Sequence, residues 1–358
     1  MGYIDLHCDT LMQGYARGIR DIYDMEGTDI NIRKLRQAGC EAQFFAVFFP
    51  ARDKVREMVS RNRLGEGIAP EKRERVIREI LDGEPGGEDL RIEGGQQEDL
   101  AYFEGMREIL LKTADEHSQD LTFVMDGESF RQASRQGKTS AFLTLEDGRA
   151  VQGRYEMLDY FYKKGVRLIT LTWNYENCFG YPNSRDPEKM ALGLKPFGRE
   201  AVKRMNELGI LVDTSHLSDG GFYDVAAISD KPFIASHSNA RALSPHPRNL
   251  TDDMLRIIGE KHGVAGLNFY GAFLSDDGTG KASVVSDMVR HALYIVGKAG
   301  EDALAIGSDF DGFEGECQIR TPLEMPLLFE SLKKAGLTER QIEKAIHLNA
   351  RRVIESVI

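Results

Sequence analysis

The hydrophobic and polar positions of this 358-residue chain form short apolar runs separated by longer segments with helical periodicity. The runs are mostly four to eight residues long and continuous rather than alternating, which is typical of parallel strands buried on both faces. They are Tyr3–Cys8, Ala42–Phe49, Ala141–Leu145, Val166–Leu171, Ile210–Asp213, Pro232–Ala235, Val264–Phe269 and Ala303–Gly307.

The segments between these runs predict helices. The clearest are Arg154–Lys164, Arg199–Leu208, Gly221–Ile228, Asp252–Lys261 and Ser283–Lys298. Four of them are followed by a glycine, where a helix C-terminus favours a left-handed residue: Gly165, Gly209, Gly263 and Gly300. Eight strands with interleaved helices predict a (β/α)8 TIM barrel of the α/β class. A doubly wound open sheet is the alternative, but no Gly-rich phosphate loop follows the first run.

The segment from about residue 52 to residue 137 interrupts this alternation. It predicts charged helices near Lys54–Asn62, Glu71–Leu81 and Glu98–His117, and a mobile surface loop at the Gly-rich stretch Asp82–Gly95. We interpret it as a helical insertion after the second strand. Near the C-terminus, Leu337–Val357 predicts closing helices with Thr338 as N-cap. We therefore expect a single barrel domain over residues 1–358.

Composition limits the possible partners. A formal net charge of −11 argues against nucleic acid and anionic membrane surfaces, because both attract basic patches. The four cysteines are scattered without a Cys-x-x-Cys pair, which argues against a disulfide scaffold or a thiolate zinc site. We find no secretory signal and no apolar run long enough to span a membrane. We therefore expect a cytoplasmic protein.

Residues that can bind a metal ion follow five of the eight runs: His7 and Asp9, Glu146, His216, His237 and Asp309. In a barrel, the C-terminal ends of the strands converge on one mouth. Three imidazoles and three carboxylates would be costly to bury there without a metal ion. Six ligands favour two ions that share a carboxylate. Taken singly, each histidine could instead be a hydrogen-bonded core residue, and Glu146 or Asp309 could cap a helix.

Several of these residues lie in motifs through which the chain resembles the membrane (renal) dipeptidase family of the metal-dependent amidohydrolase superfamily, over nearly its whole length. The matching stretches are Ile4–Asp9, Leu143–Glu146, Thr214–His216, Ala235–Ser238, Pro247–Asn249, Leu267–Tyr270 and Gly307–Gly312. The resemblance implies one zinc ion held by His7, Asp9 and a bridging Glu146, and a second held by Glu146, His216 and His237. It also implies that Asp309 handles the proton of the bridging water and that Arg248 grips the substrate carboxylate.

The activity implied by the resemblance is zinc-dependent hydrolysis of dipeptides by a metal-bridged hydroxide, with two zinc ions per chain. A D-residue on the C-terminal side would be tolerated, and a homodimer is expected. The first alternative is an N-acyl amino acid amidohydrolase or lactonase that uses the same two ions. The second, of another class, is a non-catalytic binding protein stabilised by metal.

One departure from the family concerns the stretch Leu171–Asn174, where members commonly carry a histidine that helps to polarise the scissile carbonyl. This chain has Trp173 there, its only tryptophan. Tryptophan donates one N–H but cannot carry positive charge, so stabilisation of the oxyanion could be weaker or reassigned to Asn174. Trp173, Asn174 and Tyr270 are candidate substrate contacts. Trp173 could equally be core.

Two more acids accompany the predicted ligands. Asp5 precedes His7 by two residues on the same strand face, so we expect it to orient a ligand. Asp311 follows Asp309 with the same spacing and competes with it for the proton-transfer role. The resemblance assigns that role to Asp309, and it leaves Asp311 as a supporting or turn-forming residue.

Overall fold

The computed structural model describes residues 2–63, 69, 72, 96–275 and 282–358. The predicted loop Asp82–Gly95 lies outside the described residues, and so does the predicted helix Glu71–Leu81 apart from Lys72. With all strands counted in chain order, the structure contains β1 to β11 in the described ranges. Their bounds are Tyr3–Cys8, Cys40–Phe48, Leu121–Phe123, Thr139–Glu146, Val166–Thr170, Leu211–Asp213, Ile234–Ala235, Val264–Leu267, Ala282–Ser283, Leu304–Ile306 and Glu316–Cys317.

Eight of these strands close into a parallel barrel in the order β1, β2, β4, β5, β6, β7, β8 and β10. The pairing of Asp5 with Ile306 joins β10 back to β1. All eight strands correspond to the predicted apolar runs, with shifts of one or two residues at most ends. The predicted (β/α)8 TIM barrel is therefore confirmed, and its C-terminal strand ends form one mouth.

Three short strands were not predicted. β3 pairs with Thr139–Ala141 of β4, and β5 pairs with β4 from Leu143 onwards. β9 and β11 pair with each other in a separate two-stranded sheet. β6, β7 and β10 are equally short but lie within longer predicted apolar runs, whereas β9 and β11 do not, and β3 lies in the segment that we interpreted as a helical insertion.

Helices occupy the predicted intervals that the structure describes, and further helices, such as Thr10–Ala16 and Met325–Lys334, were not predicted. Their bounds are Thr10–Ala16, Ile32–Gln37, Arg52–Arg63, Gln96–Glu116, Gly127–Arg135, Tyr155–Lys163, Pro187–Met190, Pro196–Leu208, Asp219–Ile228, Asp252–Glu260, Gly271–Leu274, Val285–Ala299, Met325–Lys334, Glu339–Glu343 and Asn349–Val357. The insertion after β2 thus contains two of the predicted charged helices. Thr338 caps the C-terminal segment as predicted, because its side chain accepts a hydrogen bond from the Gln341 N–H. Among the described residues, no helix has the length and apolar character needed to cross a bilayer.

The glycines after four helices behave in two ways. Three have positive φ values as predicted, namely Gly165, Gly209 and Gly300. The prediction for Gly263 is wrong, because the left-handed residue at the end of Asp252–Glu260 is His262, with φ of 56°. A Cβ at Gly263 would lie 2.1 Å from the carbonyl oxygen of Phe233, so this glycine is required by close packing against the segment that leads into β7.

Candidate metal centre

The six predicted ligand residues converge at the mouth of the barrel, and all six are buried. They extend from the ends of five strands: His7 and Asp9 from β1, Glu146 from β4, His216 from β6, His237 from β7 and Asp309 from β10. His216 and Asp309 have φ values of 66° and 65°, in the left-handed region. Histidine and aspartate tolerate this conformation better than most residues, and it turns the chain sharply just beyond the strand ends.

Glu146 lies between two groups of side chains. Its Oε2 is 3.4 Å from Nε2 of His7. Its Oε1 is 3.0 Å from Nε2 of His216 and 3.6 Å from Nε2 of His237. The two oxygens of one carboxylate therefore face two different groups of imidazoles, which is the arrangement that a bridging ligand needs.

The group around His7 contains two further carboxylates. Nε2 of His7 lies 3.4 Å from Asp9 Oδ2 and 3.7 Å from Asp309 Oδ1. Potential ligand atoms of His7, Asp9 and Asp309 all lie within 4.8 Å of one another. His7 also stacks on His237, with ring centroids 4.0 Å apart, so the two groups are in direct contact.

Hydrogen bonding within the described part of the chain leaves several of these atoms unsatisfied. Neither ring nitrogen of His7 has a hydrogen-bond partner there, and nor does Asp9 Oδ1, although all three are buried. Buried polar atoms without partners are costly, and imidazole nitrogen and carboxylate oxygen are the donors that zinc binds. The residues present therefore fit a divalent metal centre.

The electrostatics of the cluster agree with this. Burial raises the pKa of Glu146 to about 8, and the charges of Asp9 and Asp309 add to the rise against the opposing effect of His7. Burial likewise raises the pKa of Asp309 to about 6. Burial, together with the nearby Arg248, holds the pKa of His216 well below its usual range. Burial lowers the pKa of His7, but Glu146 and Asp9 outweigh it and hold that pKa well above its usual range, so the carboxylates attract a positive charge that a bound cation could supply in place of the proton.

Arg248 is a buried cation at the edge of the same mouth. Its Nη1 donates to Ser238 Oγ over 3.1 Å, and its Nη2 donates to the carbonyl of His237 over 3.2 Å. The guanidinium carbon lies 5.2 Å from the centre of the Phe273 ring. No carboxylate of the described residues lies within 4.0 Å of the Arg248 nitrogens. The guanidinium is thus suited to an anionic group supplied from outside the chain.

The three candidate substrate contacts are differently placed. Trp173 is buried beside the cluster, with its ring centroid 6.2 Å from that of His216 and 4.6 Å from that of Phe48. Asn174 is buried next to it in the loop after β5, but it forms no hydrogen bond with the six residues among those described. Tyr270 packs edge-on to Phe273, the ring that Arg248 contacts, at 5.0 Å.

Asp5 and Asp311 both act on the backbone around the site. Asp5 accepts hydrogen bonds from the Ser308 N–H at 2.9 Å and the Ser308 hydroxyl at 2.6 Å, so it joins β1 to the segment after β10. Asp5 also accepts from the backbone N–H of His7 at 3.4 Å and not from the imidazole, so any orienting effect on His7 acts through the backbone. Asp311 accepts from the Thr10 hydroxyl at 2.6 Å.

Three supporting residues were not identified from the sequence. Asn268 Nδ2 donates to Asp309 Oδ2 over 2.9 Å. Ser236 Oγ lies 2.7 Å from Nδ1 of His237 and donates to Asp213 over 2.6 Å. Asn268 follows a strand, but an amide at such a position is too common to single out. Asp213 is a carboxylate at the end of the predicted run Ile210–Asp213, so the rule that found the ligands applied to it and it was missed.

A parallel barrel with histidines and carboxylates at its C-terminal mouth defines the class of metal-dependent hydrolase barrels. Residues 1–358 match the family model described as membrane dipeptidase (peptidase family M19), and the chain belongs to this family. It is therefore a metal-dependent dipeptidase, an enzyme that hydrolyses peptide bonds.

Relatives and solved structures agree with this membership. An uncharacterized Klebsiella pneumoniae protein of the pqqA 5′ region is 36% identical over 231 residues, which cover 62% of this chain and 84% of that protein. An uncharacterized dipeptidase of Schizosaccharomyces pombe is 34% identical over 244 residues, 66% of this chain and 58% of that protein.

Two crystal structures are similar over the whole chain, each with a TM-score of 0.82. One is dipeptidase AC, a metallopeptidase of family M19 with 27% identity, in which the match covers 100% of this chain and 98% of that one. The other is a Rhodobacter sphaeroides metallopeptidase bound to a phosphinate mimic of the dipeptide L-Ala-D-Ala, with 26% identity and coverage of 100% and 99%.

Proposed function

We propose that this dipeptidase holds two zinc ions, one through His7, Asp9 and Glu146 and the other through Glu146, His216 and His237. The observation that carries the proposal is the position of Glu146, whose two oxygens face His7 on one side and His216 on the other, at 3.4 and 3.0 Å. When bound, zinc supplies the Lewis acidity that brings the pKa of water towards neutrality.

The chain's own residues would then bind and orient the substrate. Arg248 would pair with the C-terminal carboxylate of a dipeptide through two parallel hydrogen bonds, because its guanidinium is buried and has no anionic partner among the described residues. Tyr270 would support this end through Phe273, which lies under the guanidinium. Trp173 and Asn174 would border the other side of His216.

Asp309 would transfer protons. Its buried carboxyl has a pKa of about 6, so it is largely ionised near neutral pH and basic enough to accept a proton from the attacking water. It would then return the proton to the leaving amine. We further propose that dipeptides with a C-terminal D-residue are substrates, on the support of the relative bound to a mimic of L-Ala-D-Ala.

Hydrolysis of an N-acyl amino acid or a lactone is the second candidate activity. Trp173 replaces the histidine expected at a position that polarises the scissile carbonyl, which favours an N-acyl amino acid amidohydrolase or lactonase on the same ions. A non-catalytic binding role is set aside because the chain belongs to a family of metallo-dipeptidases. The homodimer and the cytoplasmic location stay predictions.

The test combines metal analysis with a substrate panel. We expect the purified protein to carry about two zinc equivalents per chain, chelation to abolish hydrolysis, and added zinc to restore it. The panel contains L,L-dipeptides, L,D-dipeptides, N-acyl amino acids and lactones, and we expect dipeptides to be hydrolysed fastest. Glu146→Gln should lose bound metal, whereas Glu156→Gln, at an exposed position, should keep both ions. Full activity without a transition metal would overturn the proposal.

A further inference from the structure

Asp213, the last residue of β6, is completely buried and receives four hydrogen bonds. Its Oδ1 accepts from the backbone N–H groups of Ser236 at 2.8 Å and Ser215 at 3.0 Å. Its Oδ2 accepts from the hydroxyls of Thr170 and Ser236, both at 2.6 Å. Four donors match the acceptor capacity of an ionised carboxylate, so the hydroxyl proton of Ser236 is directed to Asp213.

Ser236 is also in contact with the imidazole of His237, because its Oγ lies 2.7 Å from Nδ1. A hydroxyl has one proton, and that of Ser236 is already donated to the carboxylate. Ser236 Oγ can therefore only accept from His237, so the hydrogen bond requires a proton on Nδ1. Ser215 Oγ, at 3.3 Å, is a more distant neighbour of Ser236 Oγ.

The position of this proton decides what the other nitrogen of His237 can do. An imidazole that binds a metal ion is neutral and carries one proton. With that proton on Nδ1, Nε2 presents a lone pair. Nε2 lies 3.6 Å from Glu146 Oε1 and 3.0 Å from His216 Nε2, within the candidate metal centre.

We propose that Asp213 and Ser236 form an orienting relay that selects the metal-binding tautomer of His237. Many metal-binding histidines donate their second N–H directly to a carboxylate or carbonyl. Here a serine hydroxyl stands between them and transmits the polarity of the carboxylate. Asp213 and Ser236 are positioning residues, since they act only through His237. The inference rests on the proposed metal centre.

The relay predicts that reversing the direction of the hydrogen bond between residue 213 and Ser236 has a larger effect on metal binding than removing it. In Asp213→Asn, the amide Oδ1 can keep the two backbone N–H groups, and Nδ2 then replaces the oxygen that faces Thr170 and Ser236. The amide donates to Ser236 Oγ, so the serine proton turns towards His237 Nδ1. The ring must then carry its proton on Nε2, where it blocks metal binding.

Ser236→Ala and Thr170→Val complete the set. Ser236→Ala removes the constraint without reversing it, so both tautomers become accessible. Thr170→Val removes another hydroxyl from the same oxygen of Asp213 but leaves the direction of the Ser236 hydrogen bond unchanged. It is therefore the matched control for loss of a buried hydrogen bond.

The experiment measures zinc affinity by competition with a chelator, and the His237 tautomer by NMR of ¹⁵N-histidine-labelled protein. We expect Asp213→Asn to lower the affinity for one of the two zinc ions by about 10- to 100-fold or more. The His237 proton should then lie on Nε2. Ser236→Ala should weaken the same ion less, and Thr170→Val should keep the wild-type affinity and tautomer.

Two results would contradict the relay: wild-type affinity for both ions in Asp213→Asn, or Nε2–H in the wild-type protein before zinc is added. If Asp213→Asn does not fold, Ser236→Ala decides, and unchanged affinity for both ions overturns the inference. Failure of the wild-type protein to bind zinc at all would instead refute the proposed metal centre.

Discussion

Asn268 and Asp309 follow adjacent strands of the barrel and are joined by a hydrogen bond of 2.9 Å from Asn268 Nδ2 to Asp309 Oδ2. The same amide nitrogen lies 3.2 Å from the carbonyl oxygen of His237. Since one oxygen of Asp309 is held in this way, the other faces His7 at 3.7 Å. Asn268 therefore sets the orientation of the proposed proton-transfer group.

Replacing Asn268 should change the pH dependence of hydrolysis. Burial raises the pKa of Asp309, and the hydrogen bond from Asn268 lowers it by stabilising the ionised form. In Asn268→Ala that pKa should rise, so the base becomes protonated at higher pH and the acidic limb of kcat/KM moves upward. Loss of a hydrogen bond to a charged group, about 1.5–3 kcal/mol, should also lower kcat/KM roughly tenfold or more. Asn206→Ala, which removes a buried amide bonded to Ser229, is the control and should leave the profile unchanged.

Asp309 and Asp311 should respond differently to the same substitution. Asp309→Asn should lower kcat by about 10²–10⁴-fold and keep most of the bound metal and the fold, because a proton shuttle is not needed to hold the ions. Asp311 accepts hydrogen bonds from the Thr10 hydroxyl at 2.6 Å and from the Asp29 N–H at 2.7 Å, so Asp311→Asn should mainly lower the melting temperature.

Metal content, kcat and melting temperature should be measured on both variants side by side. Parallel loss of metal and activity in Asp309→Asn would make Asp309 a ligand, which its 4.8 Å grouping with His7 and Asp9 also permits. Loss of catalysis in Asp311→Asn alone would mean that Asp311, and not Asp309, transfers the proton.

Removing the Arg248 guanidinium should weaken the recognition of acids but not of amides. Arg248→Ala should lower kcat/KM for dipeptides, because the lost charge-assisted pair reduces transition-state stabilisation by about 2–3 kcal/mol. A C-terminally amidated dipeptide lacks that pair already and should lose little more. Arg248→Lys keeps the charge without the two parallel donors, so its kcat/KM for dipeptides should lie between those of the wild-type protein and Arg248→Ala. If acid and amide substrates lose the same factor, Arg248 does not bind the substrate carboxylate.

Trp173 offers a test of oxyanion stabilisation. The indole can donate one N–H, histidine can donate and also carry charge, and phenylalanine can do neither. If Trp173 contacts the scissile carbonyl, kcat for dipeptides should rise in Trp173→His and fall in Trp173→Phe, by roughly 10²-fold for the loss of one donor. Equal kcat in all three proteins, with changes only in KM, would make the ring a wall of the substrate pocket beside Phe48.

The barrel strands could be predicted because continuous apolar runs follow directly from burial on both faces. β3, at Leu121–Phe123, was missed because it lies in the segment that we interpreted as a helical insertion. The left-handed residue at His262 was missed because the close approach of Gly263 to Phe233 is a property of the packed structure and leaves no local signal.

The candidate site divides in the same way. His7, Glu146 and His216 could be proposed from residue type and strand position alone, and their roles stay predictions. The contacts that orient the neighbouring ligand His237 could not be found, because Ser236 and Asp213 meet only across neighbouring strands. Asp5 was placed beside His7 by its spacing and does accept from the His7 backbone N–H, but its two shorter hydrogen bonds, to Ser308, could not be predicted.

The left-handed backbone at His216 and Asp309 limits how this site can change over evolution. Asparagine, aspartate, histidine and glycine occupy that conformation at low cost, whereas β-branched side chains are strongly disfavoured. Lineages that keep this barrel can therefore exchange these positions within a small set of residues without rebuilding the strand ends. New chemistry at the mouth would arise more readily at Trp173, whose backbone is not among those with positive φ.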